Sequence, residues 1–118
     1  MPVSPEPTSE EPVTRTIRLE AQLAQPKLID RIEIREIRML ANQKAGAHIH
    51  NGPVVGSIVE GSVEYQVEGE SATTLQTGDV FFEPEDRTIV HFDAGPDGVT
   101  FIGYFPLSPN EIPEMQML

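Results

Sequence analysis

The chain has no cysteine. That excludes a disulfide framework, a thiolate zinc site and a cysteine nucleophile. Positive charge is scarce: eight lysines and arginines stand against nineteen acidic residues, a formal net charge of -11. A nucleic-acid surface needs concentrated positive charge, so that class of partner is excluded. Anionic membranes should repel the chain on the same grounds. No run approaches the roughly 20 apolar residues needed to span a bilayer. The first residues carry no apolar stretch of signal-peptide type. The expectation is a soluble, cytoplasmic protein with no nucleic-acid or membrane partner. Neither a Ser/His/Asp order, a phosphate-binding loop nor a dinucleotide glycine fingerprint is present. Gly56-Ser57 and Gly61-Ser62 read as turn and strand material rather than a nucleophile elbow.

What remains is 118 residues, the size of one domain with a real core. The charge is uneven. Seven of the eight basic residues lie in residues 15–44, and Arg87 is the only later one. Acidity on this scale serves solubility. The alternative is a basic N-terminal strand set against an acidic barrel, in the same chain or in a second copy. Residues 1–13 hold Pro2, Pro5, Pro7 and Pro12 among glutamates and have little to bury, so they read as a disordered tail. Residues 14–19 are rich in β-branched side chains and suggest a first strand. In residues 32–39, Ile32 and Ile34 share one strand face and Ile37 and Met39 the other, with a slip at Arg35-Glu36 that suits a bulged or two-sided strand. From Gly46 onward, short strands alternate with turns at Glu60-Gly61, Glu68-Gly69, Gly78-Asp79 and residues 94–98. Pro106, Pro109 and Pro113 punctuate a C-terminal tail over residues 108–118. Many short strands with little helix mean an all-β sandwich or barrel, here over residues 14–107. Tyr65, Phe81, Phe82, Phe92, Phe101 and Tyr104 are expected mostly in its core, with one or two lining a cavity.

His48-Ile49-His50 carries the chemistry. Residues two apart on a strand point to the same face, so both imidazoles converge. They supply half of a site for a divalent metal such as Fe, Mn, Ni, Zn or Cu. Glu83, just before Pro84 at the end of a strand, is the candidate carboxylate. His91 is the remaining histidine. It follows Ile89 by two residues, so alternation turns both the same way, and about 3.3 Å per residue separates them by ~6.6 Å.

These features resemble the cupin superfamily. Its first motif opens on a glycine, continues with two histidines one residue apart and a glutamate, and closes on a glycine. This sequence has Asn42, His48, His50, Val54 or Val55, and Glu60-Gly61 at those places. Asn tolerates a positive φ where the motif has glycine. The second motif begins Gly-Asp and runs through a proline to a histidine. Gly78-Asp79 and Phe82-Glu83-Pro84 match its first half, while Ile89 stands at the histidine position. The resemblance covers residues 32–105. It implies a double-stranded β-helix, or jelly-roll, cupin barrel of the small, quercetin-dioxygenase-like, RmlC-like kind. His48, His50, His91 and Glu83 would then be the metal candidates, the partner a small-molecule ligand or substrate, and the assembly a homodimer. Three functions follow: metal-dependent oxygenase, isomerase or lyase chemistry; a non-catalytic ligand-binding module with a degenerate site; or an assembly role in which an N-terminal strand is exchanged.

Overall fold

The computed structural model describes residues 12–118; residues 1–11, most of the expected tail, lie outside the described residues. Seven antiparallel strands and no helix make up the described part: β1 (Arg31–Met39), β2 (His48–His50), β3 (Val54–Val67), β4 (Thr73–Gln76), β5 (Val80–Glu83), β6 (Ile89–Leu107) and β7 (Met115–Met117). β6 is the spine. It pairs with β3 along most of its length, with β1 through its second half, and with β2 at Ile89. β3 continues through the expected turn at Glu60-Gly61 as one strand with register shifts at Ile58/Glu60 and Gly61/Val63. Such irregularities bend a strand and let a sheet curl around a core. Gly56 permits a close approach: a Cβ there would sit 2.4 Å from the Phe81 ring on β5.

β1 pairs with β6 in unbroken register from Arg31↔Leu107 to Met39↔Val99, so of the two expected readings it is two-sided and not bulged. Ile37 and Met39 pack on the core, whereas Ile32 and Ile34 stay exposed. The expected strand at residues 14–19 does not form. That segment runs extended and exposed over the outer face of β3 and β5, held by the Arg18 guanidinium donating to Gly78 O at 2.8 Å. With no ladder partner, β-branched composition alone does not make a strand.

The core follows the alternation. Ile58, Val63, Val67, Phe81, Ile89, Phe92, Val99 and Phe101 are buried between the sheet faces. The rings of Phe81, Phe92 and Phe101 sit 4.9–5.9 Å apart in tilted and edge-on contacts. Each ring removed from water contributes roughly 1.5–3 kcal/mol. Tyr65 closes this cluster and donates its hydroxyl to Phe82 O. Phe82 and Tyr104 point to the other face and are only half-buried.

The C-terminal residues return to the barrel. β7 pairs with β2 in the register His48↔Met117, Ile49↔Gln116 and His50↔Met115. Residues 108–118, expected as a tail, thus contain a strand. The physical reason lies in β2: it touches β6 only at Ile89, so its other edge leaves backbone groups that need partners. The Asn51 side chain fastens the return, donating to Ile112 O and accepting from Glu114 N.

Candidate metal centre

β2 is short because the chain turns sharply on both sides of it, at Gly46 and at Asn51-Gly52. Its alternation sends His48 and His50 to the same face, toward the interior. Their rings stand edge to face, with centroids 4.9 Å apart. Glu83 arrives from β5. It lies directly across the ladder from Val54, the residue standing near the place where the cupin pattern has a glutamate. Val54 itself is buried in the cavity wall, so the carboxylate reaches the same region from the neighbouring strand.

The three side chains converge. Glu83 Oε2 lies 3.1 Å from His50 Nε2, and Glu83 Oε1 lies 3.5 Å from His48 Nε2. One ligand atom from each residue falls within 4.8 Å of the other two, the only such group of three or more among the described residues. Among the described residues, His48 and Glu83 are the two buried polar ones, 2% and 5% exposed. Nδ1 of His48 faces Gly46 O at 2.7 Å and donates to it. Gly46 has φ +83°, which lets the chain aim this carbonyl at the ring. With the Nδ1 proton committed there, Nε2 presents a lone pair toward the carboxylate.

Each of these nitrogen–oxygen contacts holds together only with a proton or a cation between the two lone pairs. Burial alone lowers the His48 pKa, but its bonds to Glu83 and to Gly46 O outweigh burial and hold it above the usual histidine value. Burial alone raises the Glu83 carboxyl, but the hydrogen bonds and charges of His48 and His50 hold it below the usual carboxylate range. Two imidazole nitrogens and one carboxylate, each oriented and shielded from water, form a donor set suited to a divalent first-row metal.

His91 is elsewhere. Counting by twos from Ile89 predicts that it looks inward; the structure turns it out. On β3, Gln66 faces His91 and the next residue, Val67, faces Ile89, so β6 carries one extra residue, Val90, between them. That bulge reverses the parity. Ile89 and Phe92 are buried, while the His91 side chain is 45% exposed and its Nδ1 lies 3.0 Å from Asp93 Oδ2. Arg87, the one basic residue after Lys44, pairs with Glu70 at 2.9 Å. Asn42 does take the left-handed turn its position called for, with φ 60°.

A cavity of about 250 Å³ opens beside the cluster. Its walls include Ile37, Met39, Phe92, Phe101, Phe105 and Met115. Phe105 and Met115 are contributions that sequence reasoning missed. Phe105 falls on the inward parity of the last long strand, a signal available from alternation; Met115 depends on the return of β7, which no local pattern announces.

No protein-family profile matches this sequence, and no curated protein sequence does. Solved structures do. The DMSP lyase DddQ from Ruegeria pomeroyi superposes with a TM-score of 0.60 at 20% identity, over 70% of this chain and 42% of that one. An RmlC-like cupin from Shewanella frigidimarina gives a TM-score of 0.57 at 25% identity, over 67% of this chain and 68% of that one. A salicylate 1,2-dioxygenase from Pseudoaminobacter salicylatoxidans, in complex with gentisate, gives 0.57 at 20% identity, over 64% of this chain and 20% of that one. The chain spans less than half the length of the two enzymes. These likenesses show the fold: the chain is a small, all-β protein with the cupin jelly roll.

Proposed function

We propose that this cupin-fold chain holds a divalent metal ion on His48, His50 and Glu83 and uses it to bind, and act on, a small organic molecule. The observation that supports this most directly is the meeting of two imidazole Nε2 atoms on one buried carboxylate, with the His48 tautomer set by Gly46 O. Structural neighbours include a lyase and a dioxygenase, which fits lyase- or dioxygenase-type chemistry here. When bound, a metal would act as a Lewis acid toward substrate oxygens. The chain's own residues do the rest. His48, His50 and Glu83 would hold the ion, Gly46 O fixes one ring, and the apolar walls exclude water and position the ligand.

Elemental analysis of protein purified without chelator tests this reading. Wild-type protein should carry close to one equivalent of a divalent metal. The His48→Ala/His50→Ala double variant and Glu83→Gln should each lose most of it, a larger change than the roughly 10–100-fold affinity loss that follows removal of an outer-shell partner. Metal content untouched by either variant would overturn the proposal. One observation favours a second, non-catalytic reading: among the described residues no polar side chain other than these three lines the cavity, so none of them stands ready as a separate acid or base. Ligand affinity that is the same with and without metal would favour that reading.

A further inference from the structure

The lining of the cavity carries information about charge. Among the described residues, all three polar ones on it belong to the His48, His50 and Glu83 cluster, and the other eight are aliphatic, aromatic or methionine. No lysine or arginine reaches the walls. Arg35, on the same face of β1 as Ile37 and Met39, is engaged elsewhere. Its guanidinium lies over the Phe105 ring, 5.2 Å from the centroid, and pairs with Glu33 at 2.7 Å. The cavity is thus polar at one end and apolar along its length.

We infer that this cavity selects a monoanionic small molecule, one oxygen-bearing end on the cluster and an uncharged apolar body against Ile37, Met39, Phe92 and Phe101, and that it rejects dianions. The inference deepens the metal-site reading and rests on it. A divalent ion held by a single carboxylate keeps one unit of positive charge, which one anionic group on the ligand balances. A second anionic group would lie against the apolar walls with no cationic partner, and burying an unpaired charge is strongly unfavourable. Size narrows the class further. About 250 Å³ exceeds the ~150 Å³ of an engineered cavity that accepts benzene. It falls below the roughly 300–1,000 Å³ of sites for drug-sized ligands. A single substituted ring or a short acyl chain fits these limits.

The test is calorimetric and needs no turnover. Full-length protein is titrated first with Zn(II), then with acetate, butanoate, hexanoate, benzoate and adipate. Absence of stoichiometric zinc uptake would defeat the metal-site reading. The cavity inference is then judged separately, on chain-length dependence in the metal-free protein. With zinc bound, affinity should rise about fourfold per added methylene from acetate to hexanoate. Adipate, with the same carbon count and a second carboxylate, should bind at least tenfold more weakly than hexanoate. Met39→Lys adds a cation to the wall and should raise adipate affinity while zinc stoichiometry stays the same. Equal affinity for adipate and hexanoate overturns the inference, and so does no dependence on chain length. Tight adipate binding that disappears in Arg35→Ala also overturns it, by placing the second carboxylate on Arg35.

Discussion

His50 and His91 stand on strands of one barrel, both near buried neighbours, and they end in different worlds. His50 points inward and meets Glu83 at 3.1 Å; His91 points outward and pairs with Asp93 in partial contact with solvent. Composition does not separate them, and neither does distance along the chain from a buried residue. The difference is the state of the ladder. β2 runs without irregularity from His48 to His50 against β7. β6 carries the Val90 bulge between Ile89 and His91. Alternation is a property of regular pairing, and a single inserted residue exchanges the faces of everything beyond it.

The sharpest way to press this comparison is to move an imidazole to the position that the ladder turns inward. Ile89 is fully buried and lies directly across from His48. An Ile89→His substitution should therefore place a third ring beside the existing two. Its expected cost is about 1–3 kcal/mol of stability, from the lost aliphatic packing and the buried polar ring. In return, metal affinity measured by chelator competition should increase at least tenfold. Unchanged affinity in a folded variant would show that the inward face at residue 89 does not reach the cluster, and the ladder argument would fail there.

A smaller effect concerns protons in the metal-free protein. His48 is held above the ordinary histidine value of about 6.5. A group with a raised folded-state value contributes stability that is complete below the unfolded value and is lost as pH rises through the folded one. Glu83 works in the other direction. Its stabilisation is present above the ordinary carboxylate value and is lost as pH falls through the depressed one. Urea midpoints should accordingly be highest in the window between those two ordinary values and decline on both sides. His48→Ala should remove the His48-dependent decline above neutrality. A wild-type alkaline limb that survives this substitution unchanged would mean that His48 is not the group responsible.

Much of the architecture was legible because it depends on repetition. Val63, Tyr65 and Val67 alternate with polar residues, and the turns at Glu68-Gly69 and Gly78-Asp79 separate strands as expected, whereas those expected at Glu60-Gly61 and residues 94–98 lie inside β3 and β6. His48 and His50 were legible for the same reason, being two apart on an unbroken strand. Glu83 was reachable only as the end of a strand beside a proline; that it faces Val54 depends on the β3–β5 register, which is tertiary. The bulge at Val90 had no local mark, since Val is an ordinary strand residue. The β7 return was hidden by prolines that read as punctuation. Its cause is the unpaired edge of β2, a demand set by another part of the chain. The missing strand at residues 14–19 is the converse case, where local composition was favourable and no partner edge received it.

The smallest expected effect completes the comparison. His91→Ala removes an exposed ring and its contact with Asp93, on the face of the sheet away from the cavity. A half-exposed polar contact of this kind is worth ~0–1 kcal/mol at most. Asp93 retains solvent access at its carboxylate, and its backbone still bridges to Lys44 across the ladder, so no buried group is orphaned. Metal content and ligand affinity should stay within error of wild type, and the urea midpoint should move only slightly. The same substitution at position 48 strips a ring that is 2% exposed from a buried carboxylate. Measured side by side, the two variants differ in the orientation that one bulged residue produces. A His91→Ala variant that lost metal would mean the ring swings inward past Val90, and the bulge would then be a hinge rather than a fixed change of face.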